Sequence, residues 1–135
     1  MSNNPPITTS EAITEGLRVV VSARYSAAHS DPQAGNWFFL YTVRLSNEST
    51  TKLKLLSRHW LINDSTGHAE EVRGPGVIGK QPELDPGDDF EYTSGCPLRT
   101  PFGSMKGSYE IIREDGSTFT AEIAQFELRQ PQALH

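Results

Sequence analysis

The sequence predicts an all-β chain, a sandwich of two antiparallel sheets with about seven strands. Three observations carry this. Apolar residues alternate with period two in several windows, turn residues recur at sandwich-like intervals, and no window carries the 3.6-residue apolar period of an amphipathic helix. A small barrel is the alternative closure of the same strands.

Taken in order, residues 1–12 are polar around Pro5-Pro6 and read as a flexible N-terminus. From Leu17, the residues Val19, Val21, Ala23 and Tyr25 alternate with Arg18, Val20, Ser22 and Arg24, the pattern of a half-buried strand. Residues 26–36 are a loop punctuated by Asp31-Pro32 and Gly35-Asn36. Trp37–Asn47 is a second strand, apolar on both faces at its start, so that Phe38 and Leu40 are candidates for an exposed binding face. Lys52–Asp64 is a third, with a change of phase near Ser57-Arg58-His59 that predicts a bulge or bend. Asp64-Ser65-Thr66-Gly67 turns the chain into a short strand, His68–Arg73. A Gly/Pro-rich connection over 74–87 precedes a strand over Asp88–Gly95, and a loop over Cys96–Ser104 follows. Met105–Arg113 and Ser117–Leu128 close the chain as a hairpin around Asp115-Gly116. One domain over 13–130 with a tail at 131–135 results. The predicted core is Val19, Val21, Phe39, Tyr41, Val43, Leu55, Trp60, Phe90, Tyr92, Tyr109, Ile111, Phe119 and Ile123.

Composition bounds the function. With 12 basic and 17 acidic residues the net charge is −5, which argues against general nucleic-acid binding, since that depends on neutralising phosphates. The longest run of large apolar residues, Trp37–Tyr41, falls far short of the ~20 that span a bilayer, so no membrane is expected. One cysteine, Cys96, forms no internal disulfide, and the N-terminus carries no basic and apolar leader pattern; a cytoplasmic protein is expected.

Most glycines and prolines, and the sharpest motif, lie between Leu56 and Gly107. Gly74-Pro75-Gly76-Val77-Ile78-Gly79 fits G-x-G-x-x-G, but Pro82 and Pro86 rule out the helix that a dinucleotide-binding turn requires. Gln81 stands where a P-loop needs Ser or Thr. The structural reading is a set of turns with Gly76 at positive φ. A middle reading is an anion-binding nest of loop amides, with Arg73 before it and Lys80 after it. Arg58-His59-Trp60 is a second candidate, offering guanidinium donors and a stacking surface. Against it stands an ordinary strand in which Trp60 fills the core while Arg58 and His59 pair with Glu70 or Glu71.

Cys96 with His59 is a conceivable thiolate pair, though a buried inert thiol fits its turn-rich surroundings better. His29, His59, His68 and His135 show no metal-ligand spacing, and the adjacent carboxylates Glu70-Glu71 and Asp88-Asp89 would point to opposite faces of a strand. No metal, cofactor or catalytic residue is expected.

The segments LSRHWLI, EEVRGPGVIGKQP, FEYTSGCPL and TPFGSMKGSYE together resemble the ApaG family, from about Leu17 to about Leu128. The resemblance implies a fibronectin type III-like, immunoglobulin-like sandwich in a small bacterial protein. It implies links to cobalt and magnesium tolerance and to diadenosine tetraphosphate metabolism, and a role as an interaction module. It also implies a proposed pyrophosphate or nucleotide site at Gly74–Gly79. Two function classes follow. One is a non-enzymatic module that binds a protein partner as a monomer or weak homodimer. The other is a protein that binds a phosphate-containing small molecule through Arg58, His59, Arg73, Gly74, Gly76, Gly79 and Lys80.

Overall fold

Strand alternation dominates the computed structural model, which describes residues 7–131. Nine strands occur among the described residues: β1 (Thr8–Thr14), β2 (Leu17–Tyr25), β3 (Trp37–Asn47), β4 (Leu53–Asp64), β5 (Ala69–Pro75), β6 (Glu83–Leu84), β7 (Asp89–Leu98), β8 (Phe102–Arg113) and β9 (Thr118–Arg129). The only helical pieces described are two single 3₁₀ turns, at Ala27–His29 and Pro32–Ala34. One sheet has the order β1-β2-β3-β7; the other has β5-β4-β8-β9, with β6 added to β4. Every pairing is antiparallel.

The inward residues meet in one core, in which Trp60 packs edge-on to Tyr41 at 5.3 Å and to Phe126 at 5.9 Å between ring centroids. Such edge-to-face pairs add to the burial itself. Tyr92 and Tyr109, on opposite sheets, share a hydroxyl–hydroxyl hydrogen bond across this core. Burial raises both phenols well above their ordinary range, so both stay protonated and one can donate to the other. Of the predicted core residues, Phe90 alone is half-buried, packed against the margin of the cluster. The half-buried Phe38 is also less open than expected, because it lies over Gly95 and beside the His29 ring.

The N-terminal expectation needs correction. The strand begins at Thr8, well before residue 13, and turns into β2 through Glu15 and Gly16, both at positive φ. Two consecutive left-handed residues make the tight hairpin turn whose twist suits antiparallel strands. β1 also lies against β9: the Thr8 hydroxyl donates to the Glu127 carbonyl, and the Glu122 amide donates to Thr14 Oγ1 at 3.1 Å. This margin of the sandwich is thereby closed. The remainder of the expected flexible segment, and the tail from 132, lie outside the described residues. Two further boundaries move. β7 continues through Cys96 to Leu98, and β8 starts at Phe102, so the expected 96–104 loop shrinks to a tight turn.

Asn47 ties the ends of four strands together. Its side chain, 1% exposed, donates to the Thr51 and Leu84 carbonyls, each at 2.9 Å, and accepts from the Ser49 amide at 2.9 Å. Its backbone pairs with Asp88 and Gly87 ahead of β7. A buried amide with every group satisfied is costly to remove, because its partners stay buried. Asn47→Ala is expected to destabilise the protein by about 2 kcal/mol or more. Chemical denaturation of the two proteins measures this, and an unchanged midpoint would show that the knot is not structural.

Candidate functional site

β4 does not run with uninterrupted alternation. Its register against β8 slips between Leu55 and Ser57, placing a bulge at Leu56 as the phase change predicted. The extra residue resets which side chains face inward. Leu53 and Leu55 point to the core before the bulge; Arg58, Trp60 and Ile62 do so after it. His59 and Leu61 take the outer face.

The bulge is held by the glycine-rich loop. The Leu56 carbonyl accepts from the Gly76 amide at 2.8 Å and from Gln81 Nε2 at 2.9 Å. Val77 and Lys80 exchange two backbone hydrogen bonds of 2.8 Å, closing the loop on itself. Arg58 reaches along the inner face, and its Nη1 donates to the carbonyls of Pro75 at 3.0 Å and Gly76 at 2.9 Å. Its guanidinium lies flat over Gly74, where an added Cβ would sit 3.0 Å from both terminal nitrogens. Gly76 adopts φ +58°, as the turn reading requires, and a Cβ there would stand 2.1 Å from the Lys80 carbonyl oxygen.

By strand register the candidate residues divide between two faces. Arg58 and Gly74 share the inner face at the sandwich margin. His59 and Arg73 form a cross-strand pair on the outer face. There the Glu71 carboxylate accepts from His59 Nε2 at 2.9 Å and from Arg73 Nη2 at 3.4 Å. These two contacts, the histidine's first, hold the Glu71 carboxyl below its ordinary range. Around them lies a shallow depression lined by Ser57, Ser108, Glu110 and Thr120, which Arg58 and Gly74 also border, so that four of the candidate residues meet there. Gly79 and Lys80 are exposed at the far side of the loop. The amides of Gly76, Val77 and Lys80 are engaged within the fold, whereas those of Ile78 and Gly79, at the centre of the Val77–Lys80 turn, make no hydrogen bond among the described residues. Cys96 and His59 face different regions: the thiol is 2% exposed inside the sandwich, and burial pushes it up to about 12. No thiolate pair forms between them.

Two features escaped the sequence reading. Gln81 is the side chain that completes the bulge clamp. Ile78, at the loop tip, is 52% exposed and holds φ +43°. Its signal was present as the second of two β-branched residues, Val77 and Ile78, between Gly76 and Gly79.

This fold and loop define a β-sandwich that carries a clamped glycine-rich turn. The chain matches the ApaG domain over residues 27–113. It is 48% identical to Protein ApaG of Anaeromyxobacter dehalogenans over 126 residues, covering 93% of this chain and 99% of that one. It is likewise 48% identical to Protein ApaG of Bordetella pertussis over 119 residues, covering 88% of this chain and 91% of the other. A Bordetella pertussis chain whose crystal structure was solved under the name ApaA superposes with a TM-score of 0.84 at 47% identity, covering 87% of this chain and 95% of that one. The chain belongs to the ApaG family.

Gly76→Ala forces a side chain into a left-handed turn and against a backbone carbonyl. It is expected to destabilise by more than about 1 kcal/mol. Equal denaturation midpoints for variant and wild type would contradict the clamp.

Proposed function

We propose that the chain is a non-enzymatic binding module that grips a protein partner with the tip of its glycine-rich loop. Ile78 carries this reading. A β-branched residue at positive φ is an outlier that costs on the order of 1–3 kcal/mol. Here it also exposes an isoleucine to water, with 52% of its surface accessible. Ile78 and Gly79 are the two left-handed residues of the Val77–Lys80 turn, a conformation that glycine at 78 would adopt without strain, so the isoleucine side chain itself answers no need of the turn. A strained, exposed apolar side chain on a rigid base suits a small partner pocket. Lys80, exposed two residues further on, suits an acidic rim. On this reading, the family's association with metal tolerance and diadenosine tetraphosphate metabolism runs through the partner.

The anion-binding alternative draws on Arg73 and Lys80, but the Pro75 and Gly76 carbonyls turn their negative ends toward Arg58 and occupy its charge. Hydrolysis of a phosphoanhydride needs an activated water as well as charge stabilisation. Glu71, on the outer face, is committed to His59 and Arg73, and Glu110 accepts from the Thr120 hydroxyl at 3.0 Å. Purified protein is expected to show no turnover of diadenosine tetraphosphate, ATP or pyrophosphate with magnesium, manganese or cobalt. Metal-dependent turnover lost in Arg73→Ala would overturn the binding-module reading.

The binding reading itself is tested at position 78. Ile78→Gly relieves the backbone and should raise stability by up to about 1 kcal/mol. A photo-crosslinking residue at 78, with one at Thr66 as the control, should give a discrete partner adduct at 78 only. The captured partner should bind Ile78→Gly at least tenfold more weakly than wild type. Identical adduct patterns at both positions, or unchanged affinity, would overturn the assignment.

A further inference from the structure

β1 and β9 close one margin of the sandwich; at the other, each sheet ends on an edge strand, β7 in one and β5 in the other. β7 is ten residues long and pairs with β3 without a register shift. Two bonds fix which of its backbone groups face that neighbour. The Ser26 amide donates to the Phe38 carbonyl, so Phe38, Leu40 and Thr42 turn toward β2, and Phe39, Tyr41 and Val43 toward β7. At the far end of β3 the Asn47 amide donates to the Asp88 carbonyl, in the same phase. Phe90, Tyr92, Ser94 and Cys96, which stand opposite Leu45, Val43, Tyr41 and Phe39, therefore bond to β3. The amides and carbonyls of Asp89, Glu91, Thr93 and Gly95 point away from the sheet, and no strand among the described residues pairs with them.

An open edge of this length is a template for a further strand, and native proteins blunt such edges with charge or proline. Asp89 and Glu91 guard one end of β7 and Pro97 the other, but Thr93 and Gly95 between them carry neither device. On β5, where the Gly76–Leu56 bond sets the phase, the outward residues Glu71 and Arg73 are both charged and pair with each other. Beside the open row of β7 the sheets are parted by a cavity of about 260 Å³. Ser94 and Cys96 line it from β7, Glu70 and Val72 from β5, and Ile62 and Met105 from behind. That volume falls below the range of drug-sized ligands and suits a single side chain. Arg58 also borders it, with its Nη1 held by the Pro75 and Gly76 carbonyls. Glu70 at the mouth and Glu91 on the outer face are exposed carboxylates with no ion pair among the described residues.

We infer that β7 accepts an added strand, an extended basic segment of a partner protein that pairs with the backbone of Glu91, Thr93 and Gly95. One inward lysine or arginine of that segment lays its aliphatic stem in the cleft against Val72 and Met105 and brings its charge to Glu70. A second basic residue, on the outer face, meets Glu91. Main-chain bonds supply the attachment, while the cleft and the two carboxylates select the sequence. A second copy of the chain brings the same acidic groups and a net charge of −5, so it suits this edge less well than a basic segment. The site is separate from the loop tip and does not rest on the reading of Ile78.

Amide spectra of the full chain test it with a terminally blocked peptide of valine and threonine. The peptide carries two lysines three residues apart, so that one falls on each face of a strand. Titration should shift the Glu91, Thr93 and Gly95 amides saturably and slow their hydrogen exchange, with Ile78 unmoved. The same peptide with glutamates for lysines should bind several-fold more weakly, as should the lysine peptide to Glu91→Lys. Of two versions N-methylated on alternate amides, only one should still bind, because an added strand turns one row of amides to the edge and the other to solvent. No saturable shift along β7, or shifts centred on Ile78, would overturn the site. Equal behaviour of the two methylated peptides would overturn strand addition. Equal affinity of the lysine and glutamate peptides, or protection of the same amides by raised protein concentration alone, would overturn the basic partner.

Discussion

The extra residue at Leu56 is the constraint from which the arrangement of this molecule follows. A side-chain period of two makes any slip by one residue exchange the two faces of a strand. Without the bulge, the phase set by Leu53 and Leu55 would carry inward through Ser57 and His59, and Trp60 would face solvent. With it, Trp60 enters the core between Tyr41 and Phe126. The bulge leaves the Leu56 carbonyl outside the β4–β8 ladder, and the glycine loop supplies its donors, Gly76 N and Gln81 Nε2. The motif that resembles a phosphate-binding turn is thus explained by its work on β4. Gly74 leaves room for the Arg58 guanidinium, Gly76 takes the left-handed turn under the Lys80 carbonyl, and Pro75 presents its carbonyl to Arg58.

The two margins of the sandwich are managed differently. An unpaired edge strand invites association, and here β1 sits over β9 through threonine hydroxyls, with small inward residues Ser10 and Ala12 that let the sheets approach. At the opposite margin the inward residues are large or charged: Trp60, Arg58 and Tyr41. The sheets stay apart there, and the Tyr92–Tyr109 hydroxyl pair bridges them deeper inside. A buried bridge of this kind fixes sheet spacing by geometry, since each hydroxyl would lose its partner if the sheets moved.

Much of this was legible. The alternation in Leu17–Tyr25 and Trp37–Asn47, the Asp115-Gly116 turn and the phase break near Ser57 each reported its own structure, because local pattern and tertiary burial agree there. β1 was not legible. Its inward positions, Thr8, Ser10, Ala12 and Thr14, are too small and polar to register as an apolar face. β6 is two residues long, below what any period can show. The sequence offers the glycine loop and Arg58-His59-Trp60 as two candidates; the structure sets Arg58 and His59 on opposite faces of β4, and Arg73 and Gly74 on opposite faces of β5, yet brings all four to one depression. Which of each pair turned inward depended on a bulge whose position the sequence indicates only within a few residues. The role of Gln81 was invisible for a different reason: its partner is a backbone carbonyl, which leaves no trace in side-chain pattern.

A sequence that specifies one fold is consistent at every level, and departures concentrate where something besides folding is served. Two departures stand out, the left-handed exposed Ile78 and the unpaired indole of Trp60. They lie on opposite sides of one residue. Arg58 holds the loop that carries Ile78 through the Pro75 and Gly76 carbonyls, and it shares the inner face of β4 with Trp60. A guanidinium has a fixed fork of donors, so a contact made on one edge constrains the orientation available to the other.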